Sequence, residues 1–513
     1  MGVSSSVSVP PSPVSQDFDT FISNFRSQLR DTFRRRGDID AMSLNRSLPP
    51  YVLRDVRTCK PLSAFIPSEY GGRGGHVHES LSVLEAAGYE SIALTLTLGI
   101  NGALFLQPVG KYAHDEVKAP IFERFLEHQN MGGLMITEPD YGSDALSMRT
   151  AFTEHEDYAR IRGTKHWAGL TGWADFWLLT ARKQDENGNL ARDIDIFVCD
   201  VTQPEQHVEV EELYTNLGLY HIPYGRNKLD VKVPLAQRLQ PERTGITMLL
   251  DLLHRSRVQF PGMGMGFLQR MLDEALDHCR NRHVGGKSLF NYDQVKSRLA
   301  TLQAYFTACS AMCTYASENA SVENNLAKIN LQANAVKTVV TDMMQEAANS
   351  VLQLTGAKGY RQDHIAGRGY TDSRPFQIFE GSNDILYQQI TESVLKSMRR
   401  LKDNNLYNYL EKSDLSSRAA EQFKDTLDIN LDPQMPQRKL VELGRVLARV
   451  ISMEFTIELG ERGFRSDLIS NCLSVFRRKV HSYMCAYRDE GLPAIVEDDL
   501  EQSGWVDYVS ARS

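Results

Sequence analysis

Glu380 stands among apolar residues, in Phe376-Gln377-Ile378-Phe379-Glu380-Gly381-Ser382-Asn383-Asp384-Ile385. A carboxylate drawn out of water there has its pKa pushed up, as a general base working at neutral pH requires. The same residues also fit a plainer role, with Ser382 capping a following helix and Glu380 an exposed charge at its start. Three other stretches carry residues able to grip a ligand. In Thr137-Glu138-Pro139-Asp140-Tyr141-Gly142-Ser143-Asp144, Pro139 ends regular structure and Gly142 permits close backbone approach. Ser143 there offers a hydroxyl and an N–H to an anion such as a pyrophosphate, and Thr137 adds one more hydrogen bond. A turn joining two domains uses similar residues. In Gly163-Thr164-Lys165-His166-Trp167-Ala168-Gly169-Leu170-Thr171-Gly172, an indole beside a glycine-rich turn either walls a flat aromatic ligand or ends a strand in the core. In Gln353-Leu354-Thr355-Gly356-Ala357-Lys358-Gly359-Tyr360, the glycines either cap a helix or let the backbone approach a phosphate.

The elements that must position these stretches read in the order helical, β, helical. Residues 1–16 read as a disordered Ser/Pro tail, although Met1-Gly2-Val3-Ser4-Ser5-Ser6 also fits a loose myristoylation pattern. Residues 17–132 form a helical domain: Phe18, Phe21, Ile22 and Phe25 recur at helix spacing, and helices are expected over His78–Ala87 and Glu116–His128. The uncharged run Ser91–Gly110 is near membrane-spanning length. Its threonines, Asn101, Gln107, Pro108 and glycines read as two buried helical segments joined near Gly99. Residues 133–241 alternate or are β-branched between turn residues and form a β domain. Residues 242–402 return to helix period, with long helices over Val295–Ser321 and Leu326–Leu354. Gly356–Ser373 interrupts them, and a last helix runs from about Ser382 to Leu401. Residues 403–513 add a helical extension in which Leu440, Leu443, Leu447, Val450 and Ile451 share a face.

Composition narrows the possibilities. At 513 residues the chain has room for roughly two to four domains at ~150 residues each. A hydrophobic fraction of 42% with 24% charged residues excludes a disordered or fibrous chain. The net charge of −8 argues against a binder dominated by nucleic-acid phosphates, and Arg34-Arg35-Arg36 and Arg477-Arg478-Lys479 read as solvated helix faces. The seven cysteines show no CxxC pair and no His cluster, so they read as reduced packing thiols with no metal site. No secretory signal is visible and the first residues lack the arginines of a transit peptide. The expectation is an intracellular, cytoplasmic protein.

From about Asp17 to Leu401 the chain resembles the acyl-CoA dehydrogenase family. The family's TEPxxGSD motif stands at Thr137–Asp144 and its tryptophan strand, altered, at Gly163–Gly172. Its Q-x-x-G-G-x-G-Y motif stands at Gln353–Tyr360 and its catalytic-glutamate stretch at Ile378–Ser382. Arg257 and the helix Gly266–Arg282 are in register with family positions as well. The resemblance implies an α+β fold: an N-terminal helical domain, a middle β-barrel or sandwich, a C-terminal four-helix bundle and an extra helical segment. It implies FAD between the β domain and the bundle of a homodimer or homotetramer. Leu134, Ile136 and Thr137 would line the flavin, with Trp167 and Gly169 against its ring. Gly142 and Ser143 would approach the pyrophosphate and ribityl region. Arg282 would reach the pyrophosphate from a neighbouring subunit, and Gln353, Gly356 and Gly359 would lie near the adenosine half. Ser382 and Asp384 would sit beside the adenine ribose or phosphates. Glu380 would take the α-proton of an acyl thioester, on CoA or a carrier protein, while hydride leaves the β-carbon for flavin N5. The product would be a trans-2-enoyl thioester. Arg257, Phe379 and Gly381 would lie on the substrate side. The oxidant would be an electron-transfer flavoprotein or O₂.

The chain departs from the family at four points. Gly169 replaces a threonine whose hydroxyl faces the flavin, and Gly285 stands where a phenylalanine packs on FAD. Ala357 replaces a glycine and Phe379 a tyrosine. These changes keep an oxidase and a non-catalytic scaffold as alternatives. Extensions such as residues 403–513 serve dimerisation or peripheral membrane contact in long-chain members.

Overall fold

The structure is a computed structural model and describes residues 12–46, 48–491 and 494–509. Helix α1 (Phe18–Arg30) starts where the Asp17 carboxylate accepts the Thr20 N–H at 3.0 Å, and it buries Phe21, Ile22, Phe25 and Leu29 as their spacing requires. Part of the expected tail is ordered. Pro13–Ser15 form a 3-10 turn, and Arg73 donates to the Pro13, Val14 and Gln16 carbonyls at 3.3, 3.2 and 2.8 Å while pairing with Glu79. The myristoylation-like start falls in residues 1–11, outside the described residues.

Helix α2 (Val77–Glu90) and α3 (Ile92–Asn101) follow, and α3 runs through a π-helical turn at Gly102–Leu106 into α4 (Gln107–Tyr112). The break expected near Gly99 therefore lies later, just ahead of Pro108, which has no N–H to donate to the ladder. By length and composition Ile92–Tyr112 could cross a membrane, but 94% of its most apolar window is buried inside the protein. Helix α5 (Asp115–Glu127) closes this block.

The middle block is a seven-stranded sheet of β1 (Gly132–Met135), β2 (Ala151–Glu154), β3 (Tyr158–Gly169), β4 (Phe176–Lys183), β5 (Asp195–Asp200), β6 (Glu209–Leu213) and β7 (Tyr224–Pro234). Their order is β1-β4-β2-β3-β7-β6, with β5 pairing β4. The long β3–β7 pair runs from Tyr158↔Pro234 to Gly169↔Tyr224, with its register broken between His166 and Ala168. That bulge falls on Trp167.

Helices α6 (Gly245–Arg257), α7 (Phe260–Asn281), α8 (Asp293–Asn319) and α9 (Asn330–Thr355) form the C-terminal bundle. Gly356–Ser373, expected as an interruption, holds a helix, α10 (Ile365–Ser373). Tertiary contacts override its glycines: His364 Nδ1 accepts the Ala366 N–H at 3.1 Å, and buried Arg368 pairs with Asp40 at 2.6 Å. Helix α11 (Asn383–Leu401) ends the bundle. The extension supplies α12 (Gln437–Glu461), which packs on α11 and α9, and α13 (Ser466–Arg488), which packs on α8. One hydrophobic core runs through all three blocks and the extension.

Candidate active site

Glu380 lies in the turn between a 3-10 segment, Arg374–Gln377, and the start of α11. Two successive residues of this turn are left-handed, Glu380 at φ 55° and Gly381 at φ 89°. For a glutamate that conformation costs of order 1–3 kcal/mol and persists only where the surroundings enforce it. Two buried cations do so. Arg257, at the end of α6, donates to the Glu380 carbonyl through Nε at 3.1 Å and Nη2 at 2.8 Å. Lys337, in the middle of α9, donates to the Gly381 carbonyl at 2.8 Å. A side chain at Gly381 would meet Leu386 at 2.9 Å and Arg257 Nη2 at 3.2 Å, so the second position excludes one.

The carboxylate itself is held by one bond. Ser256 Oγ donates to Oε1 at 2.8 Å, and Oε2 is buried without a partner. Burial raises the Glu380 pKa above the usual carboxylate value, against the lowering pull of Ser256, Arg257 and Lys337. Burial likewise draws Arg257 down to about 10 and Lys337 down to about 7, with Glu380 opposing both shifts. Phe379 packs against Phe376 and Phe260, with ring centroids 4.9 and 6.2 Å apart, and lines the apolar side. Ser382 occupies the N-cap position of α11 but makes no capping bond with its side chain.

Tyr224, at the start of β7, faces this turn: burial raises its phenol pKa and the Glu380 charge raises it further. Trp167 lies beside it, 6.4 Å from the Tyr224 ring and 4.6 Å from Tyr214. The bulge sets Trp167 at φ 55° and leaves the expected wall residue 54% exposed. The space beside Gly169 is already taken, since a Cβ there would meet Ile100 Cδ1 at 2.7 Å and the Tyr224 ring at 3.3 Å. The Thr137 turn is tied to β3 by the His166 N–H, which donates to the Thr137 carbonyl at 3.0 Å. Its Glu138 accepts the Arg149 and Thr150 N–H groups at 2.6 and 2.9 Å and pairs with buried Lys165 at 2.9 Å, so that acid braces the turn. Leu134 and Ile136 are half-buried, and Gly142 and Ser143 are exposed.

The remaining expected residues lie elsewhere. Gln353 is exposed near the far end of α9, about 24 Å along the helix axis from Lys337; Gly356 is exposed just past that end and Gly359 is buried beyond it. Arg282 is exposed and leads into a hairpin whose tip, Gly285-Gly286, is left-handed at φ 59° and 81°. Asp384 is paired with Arg445 of the extension at 3.1 Å. Sequence reasoning missed Ser256, Lys337 and Tyr224. The signal for Lys337 was present, as a single charge inside Ala335-Val336-Lys337-Thr338-Val339-Val340. The seven cysteines are free thiols, and among the described residues no group of three or more His, Cys, Asp or Glu side chains could hold a metal.

Family models for the acyl-CoA dehydrogenase N-terminal, middle and C-terminal domains match residues 23–129, 133–231 and 243–395 in that order. The chain belongs to the acyl-CoA dehydrogenase family, whose members are flavin oxidoreductases that use FAD. It is 25% identical to an acyl-CoA dehydrogenase of Bacillus subtilis over 338 residues, covering 64% of this chain and 86% of that one. It is 24% identical to the mouse mitochondrial very long-chain specific acyl-CoA dehydrogenase over 342 residues, spanning 64% of this chain but 51% of the relative. The fold also matches a Bacillus anthracis acyl-CoA dehydrogenase complexed with FAD, at a TM-score of 0.73 and 16% identity, over 93% of this chain and 91% of that one. It matches the prolyl acyl carrier protein oxidase AnaB at a TM-score of 0.66 and 16% identity, over 73% and 98% of the two chains.

The residues present fit a flavin. The Trp167 indole is half exposed, a side chain at Gly142 or Gly356 would meet nothing within 4 Å, and Glu380 Oε2 is an unpaired buried acceptor.

Proposed function

We propose that the chain dehydrogenates an acyl thioester between its α- and β-carbons, with Glu380 as the base. The observation that carries this reading is the Glu380 carboxylate, fixed at its backbone by Arg257 and left with Oε2 unpaired. Glu380 Oε2 accepts the α-proton, and the Ser256 hydroxyl keeps Oε1 turned away. The Glu380 backbone N–H donates to the thioester oxygen and so stabilises developing enolate charge in a dry site. Phe379 and Phe260 exclude water beside the reacting carbons. Leu134, Ile136, Thr137, Trp167 and Gly169 would hold the ring end of FAD, with Gly142, Ser143, Ser382 and Asp384 toward its phosphates. Arg282 would reach the pyrophosphate of a neighbouring subunit's FAD, and Gln353, Gly356 and Gly359 would lie near its adenosine half. FAD, when bound, supplies the two-electron acceptor for the β-hydride.

Anaerobic titration of the FAD-loaded protein with acyl-CoAs of graded chain length tests the reading. Bleaching of the flavin band by one class names the substrate, and no bleaching by any acyl-CoA or acyl-carrier protein overturns it. A second reading has O₂ as the acceptor. It is favoured by Gly169, where no side-chain hydroxyl is present and Ile100 and Tyr224 fill the space. Reoxidation in air within the turnover time separates it from a dehydrogenase that needs an electron-transfer flavoprotein.

A further inference from the structure

We propose that Arg449, in the C-terminal extension, is a positioning residue for Glu380, acting through a buried chain of hydrogen bonds from α12 across α9 to the Glu380–Gly381 turn. The chain is continuous. Arg449 Nη2 donates to Asp342 Oδ2 at 2.6 Å, and its Nη1 donates to the Tyr387 hydroxyl. The Tyr387 hydroxyl in turn donates to the same Asp342 oxygen at 2.6 Å. Asp342 Oδ1 accepts from Asn383 Nδ2 and from Gln377 Nε2, each at 2.7 Å. Asn383 Oδ1 then accepts from Lys337 Nζ at 2.9 Å, the same ammonium that holds the Gly381 carbonyl. Gln377 and Asn383 flank the turn on its two sides, so Asp342 fixes both of its ends.

Arg449 is 2%, Tyr387 0% and Lys337 0% exposed, Asp342 and Asn383 are buried, and Gln377 is half-buried. In that setting each unmade bond is expensive, and a half-satisfied network is worse than none. Burial raises the Asp342 carboxyl, but Arg449, Tyr387 and Gln377 outweigh it and hold the group below its usual value. Arg449 is therefore the counter-charge that keeps Asp342 an acceptor for Asn383. The extension also closes tightly here, because a side chain at Gly444 of α12 would meet the Tyr387 carbonyl at 2.1 Å.

The catalytic consequence rests on Glu380 being the base, while the positioning itself can be read without activity. Backbone hydrogen exchange of residues 378–386 in the full-length FAD-loaded protein is the primary measurement. Arg449→Met should speed it at least about tenfold, with Arg449→Lys partly restoring it. Arg462→Met, which breaks the extension's surface pair with Glu318, should leave it unchanged. Removing Arg449 alone leaves a buried carboxylate, so Asp342→Leu with Arg449→Met is the companion variant, since apolar replacement of both partners is tolerated. It should fold and still show faster exchange at 378–386. Flavin reduction at saturating acyl-CoA should fall about 10- to 100-fold in both variants while acyl-CoA affinity holds. Wild-type exchange at 378–386 in the folded double variant would overturn the proposal. If the wild-type protein is reduced by no acyl thioester, the functional reading fails and the exchange result still decides the positioning.

Discussion

The turn that carries Glu380 and the wall that carries Trp167 face one site from two domains, and they are finished to different degrees. Around Glu380 both strained carbonyls have a buried cation, and the turn is braced from α6, α9 and α11. Around Trp167 the indole is half exposed, Gly142 and Ser143 are open, and the Thr137 turn is braced by the His166 N–H and through Glu138 and Lys165. The polypeptide alone holds the Glu380 turn, the half that the proposed function makes the base. The wall around Trp167 is the more solvent-exposed of the two. A base must be held to a fraction of an ångström before the reaction, whereas a cofactor wall acquires its order from the cofactor.

Changes to the finished half should damage chemistry and changes to the open half should damage binding. The largest expected effect is Glu380→Gln, which keeps FAD and slows flavin reduction about 10²- to 10⁴-fold in an anaerobic stopped-flow measurement. Near-normal reduction would remove Glu380 as the base. Next, Arg257→Met releases the Glu380 carbonyl and the left-handed turn relaxes. Reduction should slow about 10²-fold with FAD still bound, and a change confined to FAD affinity would reverse the assignment of the two halves. Smaller again, Trp167→Ala should weaken FAD binding about 2- to 10-fold, the worth of an aromatic contact, in a fluorescence titration.

The smallest effect is a shift in pH. Reduction requires ionised Glu380, so its rate should rise with pH through an inflection above the usual 4.5 of a glutamate. The Ser256 hydroxyl donates to the charged form, so Ser256→Ala should move that inflection further up. A bond of about 1 kcal/mol corresponds to about 0.7 in pH. An inflection that moves down, or a loss of FAD in place of a shift, would show that Ser256 serves the other half.

Much of this was legible in order along the chain. Phe21, Ile22 and Phe25 announced α1, the β-branched runs announced the middle sheet, and the helical, β, helical order matches the three family domains. Gly356–Ser373 was misread because its helix is held by Arg368 reaching Asp40 and by the His364 cap, contacts that local propensity does not contain. The joint at Gly99 was misplaced because the irregularity belongs to Pro108 and takes up its slack over the preceding turn.

The sequence by itself determined the three-block order and the family, and it marked Glu380 as a carboxylate set between apolar neighbours. Periodicity and motif spacing are properties of neighbours in the chain, and those it can state. Only the tertiary structure decided that Glu380 is held by Arg257, 123 residues away, and that Lys337, Asp342 and Arg449 continue the support into the extension. Which distant charges meet inside a core depends on how the helices pack. A buried cation is tolerable only where folding delivers its acceptors, so its purpose becomes readable once the helices are in place.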